Sequence, residues 1–165
     1  MADMLVNLYG HDFKCQEAQL KAQGITFKKP LALDKMQVLN FVEANFEHKS
    51  WAHEVEASLF KSPPTCWVAV KDKEIVGFAC YDTTAKGFFG PTGVKEDFRK
   101  QGIGGELLVK SMTSLKEAGY AYSIIGWANP EAMPLYERRA GATIIAGSEL
   151  VNSIYSNLIG MDKTP

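Results

Sequence analysis

Apolar residues recur along this chain with two different periods, and the change between them organises it. From residue 34 to residue 60 they return every three or four positions: Val38, Leu39, Phe41, Val42 and Phe46, then Trp51, Val55 and Leu59. That is the spacing of a helix face. Asp34 with Gln37 resembles a capping box for the first helix; Ser50 is placed to cap the second, and Pro63-Pro64 closes it. From Thr65 the period shortens. TCWVAV, EIVGFACYD and GFFGPTGV are rich in β-branched and aromatic residues, and Asp72-Lys73 and TTAKG supply turns, which predicts an antiparallel meander.

The helical period returns over 101–118, where Ile103, Leu107, Leu108, Met112 and Leu115 share a face and Gly119 takes the C′ position. AYSIIGW (121–127) reads as a buried strand, so strand, helix and strand predict a right-handed crossover and a parallel pair. A short helix at about 130–139 and two closing strands, ATIIAG and SIYSNLIG, follow. Upstream, MLVNLY reads as a short strand, 12–23 as a modest helix ended by Gly24, and ITFKKPLAL as extended chain. The predicted fold class is α/β with a mixed, α+β-like sheet. A chain of 165 residues is most simply one domain, 1–165, with residues 1–23 an extension of no evident role.

The third strand run contains Gly90, Pro91 and Gly93. Proline cannot donate to a ladder, and glycine in a strand marks a bulge or a ligand's close approach, so this strand should splay from a neighbour. The loop after it, RKQGIGG (99–105), opens the next helix. Unpaired N–H groups and the positive dipole end make a helix start an anion site, and glycines let a phosphate reach the backbone. Neither a P-loop nor G-x-G-x-x-G fits, the latter because residue 107 is leucine; R/Q-x-x-G-x-G/A fits Arg99, Gly102 and Gly104.

Composition narrows the choice. A net charge of −1 provides no basic field for nucleic acid. No apolar run approaches the ~20 residues of a membrane span, and MADMLVNLYG lacks a secretory pattern. Cys15, Cys66 and Cys80 are an odd number without C-x-x-C, which points to reduced thiols and a cytoplasmic location. Cys66 and Cys80 read as core filling. His48 and His53 lack helical metal-pair spacing, so no metal is expected.

VKEDFRKQGIGGELL resembles motif A of the GNAT superfamily of acyl-CoA-dependent N-acetyltransferases, through Val94, Arg99, Gly102, Gly104, Leu107 and Leu108. Glu96 stands where that family often has proline. NPEAMPLYERRAGA is similar to motif B, through Asn129, Ala132, Leu135, Tyr136 and Gly141, with Ala142 in place of a frequent phenylalanine and Pro134 an unusual helix residue. The resemblance implies the GNAT fold, a mostly antiparallel sheet with one splayed parallel pair flanked by helices. It implies acetyl-CoA as co-substrate, the pantetheine arm on Thr92–Val94, and the pyrophosphate on the amides of Lys100, Gln101, Gly102, Ile103, Gly104 and Gly105 beside Arg99. It further implies Asn129 on the pantetheine arm and Tyr136 donating to the sulfur.

The implied reaction is direct attack of a primary amine on the thioester, with a small molecule the favoured acceptor and protein amines less so. No nucleic-acid or membrane partner is expected, and a homodimer is left open. Asp82, Glu54 and His53 are all candidates for the general base, as is a water wire. Trp51, Tyr81, Phe88, Trp127 and Tyr155 could line an acceptor pocket. Two other readings stand beside the enzyme: a catalytically idle acyl-CoA-binding module, and a nucleotide-dependent oxidoreductase.

Overall fold

The computed structural model describes residues 1–160. Seven strands form one sheet: β1 (Ala2–Asn7), β2 (Ile25–Lys28), β3 (Cys66–Lys71), β4 (Glu74–Tyr81), β5 (Phe88–Val94), β6 (Tyr122–Ala128) and β7 (Thr143–Ile144). Their spatial order is β2-β3-β4-β5-β6-β1-β7, antiparallel throughout except for the β5–β6 pair. Five helices accompany it: α1 (Glu17–Ala22), α2 (Lys35–Asn45), α3 (Lys49–Leu59), α4 (Ile103–Glu117) and α5 (Met133–Ala140). The predicted mixed sheet, meander and parallel pair are all present.

Alternation along the central strands sorts the core into two clusters. Cys66, Val68, Ile75, Phe78 and Cys80 turn toward Val38, Val42 and Val55 of α2 and α3. Ala69, Val76, Ala79 and Tyr81 turn the other way, toward Leu107, Leu108, Met112 and Leu115 of α4 and Leu20 of α1. With helices on both faces, β4 is buried at every position after Glu74.

The two chain ends differ from the sequence reading. SIYSNLIG (153–160) is not a strand: it follows the 3-10 turn Leu150–Asn152 and contains a second one, Ile154–Asn157. Ser153 Oγ accepts from the Tyr155 N–H at 3.2 Å, and Ser156 Oγ donates to the Ser153 carbonyl at 2.8 Å. Such local hydroxyl bonds satisfy backbone groups that a ladder would otherwise use. ATIIAG shortens to the two residues of β7. The edge of β6 is occupied instead by β1, from Ala2 opposite Ala128 to Asn7 opposite Tyr122. The supposed extension therefore supplies a sheet strand.

Helix starts also shift. The Asp34–Gln37 capping box does not form; Asp34 Oδ2 accepts from Leu31 N at 2.8 Å and caps the 3-10 turn Ala32–Asp34. α3 begins at Lys49, so Ser50 lies inside its first turn. Helix 12–23 contracts to α1. α5 begins at Met133, which leaves Pro134 in the first turn, where its missing N–H costs nothing.

Candidate active site

β5 and β6 pair at two positions, Phe88 with Ile124 and Phe89 with Ile125, and then part. Gly90 has φ +120°, a conformation that favours glycine, and Pro91 carries no N–H. On its other edge β5 stays with β4, Thr92 opposite Ala79 and Val94 opposite Gly77, across an irregularity between Ala79 and Tyr81. The result is a cleft in the sheet whose β5 wall is Thr92–Val94. Gly93 is required by packing as well, since a Cβ there would lie 2.5 Å from the Phe46 ring.

The phosphate loop lies directly downstream. Lys100 (φ +61°) and Gly102 (φ +92°) are left-handed, and this holds the chain out of the helix until Ile103. The amides of the first turn of α4 then have no carbonyl in the preceding turn to bond. A Cβ on Gly104 would meet only Val94 and Leu135, at 3.6 and 3.8 Å, so protein packing alone does not demand glycine there. Ile103 is buried in the core and offers the loop only its backbone. Arg99, Lys100 and Gln101 are exposed. The Arg99 side chain is turned back, Nε donating to the Val94 carbonyl at 3.1 Å, and Gln101 donates to the Asp97 carbonyl at 3.2 Å.

Tyr136 comes from α5. Its ring meets Phe89, the last residue of β5 paired to β6, edge to face at 6.1 Å. The side chain is buried and burial pushes the phenol up to about 12. Asn129, just beyond β6, accepts from Glu131 N at 3.0 Å and so caps the turn into α5.

The other face of the cleft is built from segments remote in sequence. A Cβ on Gly126, one residue past the last paired position of β6, would lie 2.3 Å from Tyr155 Oη and 3.0 Å from Phe88. Tyr155 also packs on Trp127, with centroids 5.4 Å apart. Burial raises its pKa, and the Glu54 charge adds to the rise. Glu54 reaches this group from α3: Thr84 Oγ1 donates to Glu54 Oε1, and burial holds the Glu54 carboxyl above its ordinary range despite that bond.

Of the other candidate bases, His53 is exposed. Asp82 is occupied, accepting from Gly87 N and Tyr120 Oη at 2.8 Å each, with Lys61 nearby at 3.6 Å. The aromatic expectation separates in the same way. Phe88, Trp127 and Tyr155 meet, whereas Trp51 packs on Phe46 and His48, and Tyr81 turns to the α4 face to accept from Lys29 at 2.6 Å.

A group that sequence reading missed surrounds Glu106, which is fully buried in the first turn of α4. It accepts from Gln16 N at 2.7 Å and Cys15 Sγ at 3.0 Å, with Arg139 Nη2 at 3.5 Å. Cys15, Glu17 and Glu106 come close enough to share a metal ion. Both carboxylates, however, already face cations, Glu106 with Arg139 and Glu17 with Lys110 at 2.8 Å, which marks a structural knot. The only signal in the sequence was one acidic residue in an otherwise apolar helix stripe.

Residues 32–142, about two-thirds of the chain, match the family model described as acetyltransferase (GNAT) family. No curated protein sequence matches. Among solved structures, a GCN5-related N-acetyltransferase from Sphaerobacter thermophilus superposes with a TM-score of 0.66 at 24% identity, over 87% of this chain and 48% of that one. The GCN5-related glucosamine N-acetyltransferase region of a fungal multi-domain GH3 beta-N-acetylglucosaminidase gives 0.69 at 16% identity, covering 87% and 19%. A GCN5-related N-acetyltransferase from Kribbella flavida gives 0.60 at 17%, covering 87% and 53%. The chain thus spans about half, or less, of the length of these structures.

Proposed function

The chain belongs to the acetyltransferase (GNAT) family, and we propose that, as a single domain, it transfers the acetyl group of acetyl-CoA to a primary amine of a small molecule, in a ternary complex. The observation that carries this reading is the parting of β5 from β6 after Phe89, between a helix start free to bind an anion and the buried phenol of Tyr136. The pantetheine arm would add as a strand along Thr92–Val94. The pyrophosphate would rest on the amides of residues 102–105, with Lys100, Gln101 and the neighbouring Arg99 at its rim and Asn129 on the arm. No metal is invoked.

In the reaction the amine nitrogen attacks the thioester carbon, the C–S bond breaks, and the amine sheds its proton. A backbone N–H near Val94 polarises the carbonyl. Tyr136, at about 12, stays protonated at neutral pH. A thiol has a pKa of about 8.5, so the phenol stabilises the departing thiolate by a hydrogen bond, and the thiol's final proton comes from solvent. For the amine's proton the best acceptor is Glu54, since burial has already made its carboxyl more basic. It lies with Tyr155 on the face of the cleft opposite Tyr136, which suits an amine approaching from one side and a donor from the other.

No helix among the described residues is long and apolar enough to cross a membrane. We assign the protein to the cytoplasm on its free cysteines. Thiol release from acetyl-CoA across a panel of small amines, with glucosamine included, tests the activity. Turnover with at least one amine is expected. Tight acetyl-CoA binding with no turnover on any amine would indicate the idle binding module, and thermal stabilisation by NAD alone would overturn the reading altogether.

A further inference from the structure

Asp3, on β1, is a buried carboxylate that the chemistry above does not use. It is 6% exposed and has no ion-pair partner among the described residues. Burying such a group is costly without a compensating bond, so the donor it faces is informative. That donor is a backbone amide: Trp127 N–H donates to Asp3 Oδ1 at 2.7 Å. Asp3 is itself clamped by the chain that follows β7. Its N–H donates to Ser148 Oγ at 2.9 Å, and its carbonyl accepts from Ile145 N at 2.9 Å.

The bond to Trp127 fastens a bulge. Met4 stands opposite Ile125 and Ala2 opposite Ala128, so Asp3 alone faces two residues of β6, Gly126 and Trp127. In a regular strand side chains alternate, and Trp127 would share the face of Ile125. Here Ile125 and Ala128 both join the core cluster of Leu107, Leu108 and Met112, while Gly126 and Trp127 together meet Tyr155. Trp127 takes this position in the left-handed region, at φ +49°, which a bulky residue rarely adopts. Such a conformation persists only where the surroundings over-determine it, and the Asp3 carboxylate is the side chain that holds it.

We propose that Asp3 is a positioning residue for the acceptor: by fixing the bulge it turns Trp127 away from the core face and onto the amine side of the cleft. There the Trp127 ring, with Tyr155, sets which amines bind. The first strand of the chain is thereby a specificity element that acts through Trp127. This rests on the acceptor entering beside Trp127 and Tyr155, as in the acetyltransferase reading.

The test is steady-state kinetics of the full chain at saturating acetyl-CoA. The acceptor is glucosamine or, where wild type leaves it unreacted, the panel amine turned over fastest. Asp3→Asn keeps an oxygen acceptor of the same reach and drops the charge, whereas Asp3→Ala and Asp3→Ser lose the reach. Asn should stay within about threefold of wild type in amine KM. Ala and Ser should raise amine KM roughly tenfold, with kcat within about twofold and acetyl-CoA affinity unchanged. In a Trp127→Ala background the same Asp3 changes should no longer move KM, because their route is gone. Three results each overturn the assignment and leave the acetyltransferase reading intact: wild-type KM in Ala and Ser, an Asn variant as damaged as Ala, or an Asp3 effect that survives in Trp127→Ala. Should Ala and Ser fail to fold, by circular dichroism, amide hydrogen exchange decides. A slowly exchanging Trp127 N–H in wild type and Asn supports the bond, and exchange at the rate of an open amide overturns it. Turnover of no amine by wild type overturns both readings.

Discussion

The two sides of the cleft are built by different means. The side proposed for the donor is mostly backbone: a left-handed Gly102, the first amides of α4, and a strand edge released by Gly90 and Pro91, with Tyr136 the one side chain proposed to react there. The opposite side is mostly side chains, Glu54 from α3, Thr84 from the β4–β5 loop, Trp127 from β6 and Tyr155 from the last 3-10 turn. A common cofactor can be held by main-chain geometry, which any sequence with the right glycines provides. An acceptor must be told apart from its analogues, and that requires particular functional groups.

The largest effect should come from breaking the donor side alone. Gly104→Asp puts a carboxylate where the pyrophosphate would rest, and like-charge contact of several kcal/mol predicts acetyl-CoA binding weaker by about 10³-fold. The same change places an acid in the first turn of α4, where the dipole favours it, and its Cβ fits. Melting temperature should therefore hold or rise while calorimetric affinity collapses. Unchanged affinity would remove the loop from the donor site.

Glu54→Gln addresses the other side. Loss of the proton acceptor should lower kcat by about 10²-fold without altering acetyl-CoA affinity. In wild type, kcat/KM should fall as pH drops through a value above the ordinary carboxylate range, because the base must be ionised to act, and the variant should lack that limb. Stability carries the opposite sign. A carboxyl whose folded pKa is raised favours the fold while protonated, and that contribution is lost as pH rises through the folded value. Glu54→Gln should thus melt higher than wild type at pH 7 and near equally at pH 4. A variant with wild-type pH–rate behaviour would exclude Glu54 as the base.

Tyr136→Phe should reduce kcat by roughly tenfold or somewhat more, the loss of one hydrogen bond to developing charge, with donor affinity retained. With the phenol at about 12, wild-type kcat should show no fall from its ionisation up to pH 10. Equal turnover in the variant would remove it from the mechanism. The smallest effect is expected from Ser153→Ala. It deletes the hydroxyl that fixes the turn carrying Tyr155, costing about 1 kcal/mol locally. KM for the amine should rise with Kd for acetyl-CoA unchanged.

This contrast explains what could be read in the sequence. Arg99, Gly102, Gly104 and Tyr136 sit in short motifs whose spacing follows from one loop and one helix, and the broken strand announces itself through Gly90 and Pro91. Glu54, Thr84 and Tyr155 share no spacing, because only the sheet brings residues 54, 84 and 155 to one spot. The meander β3–β4–β5 was legible from period and turns. β1 was legible as a strand but not as the neighbour of β6, since a two-residue alternation says nothing about which edge it will join. SIYSNLIG carries strand-like Ile and Tyr residues, but its serine hydroxyls bond the local backbone and hold it in a 3-10 turn, which apolar periodicity does not reveal.

The placement of β1 also has a consequence for how the chain is made. Its partners on β6 lie 115 residues away at one end of the ladder (Asn7 to Tyr122) and 126 at the other (Ala2 to Ala128). At translation rates of about 5–20 residues per second, β1 is synthesised roughly six to twenty-five seconds before the edge it will join. Met4, Val6 and Leu8, all fully buried in the finished fold, pass that interval without the β6 ladder beside them. The meander can assemble first from contacts of short range, whereas the sheet beside the cleft is completed late, by the strand that was made first.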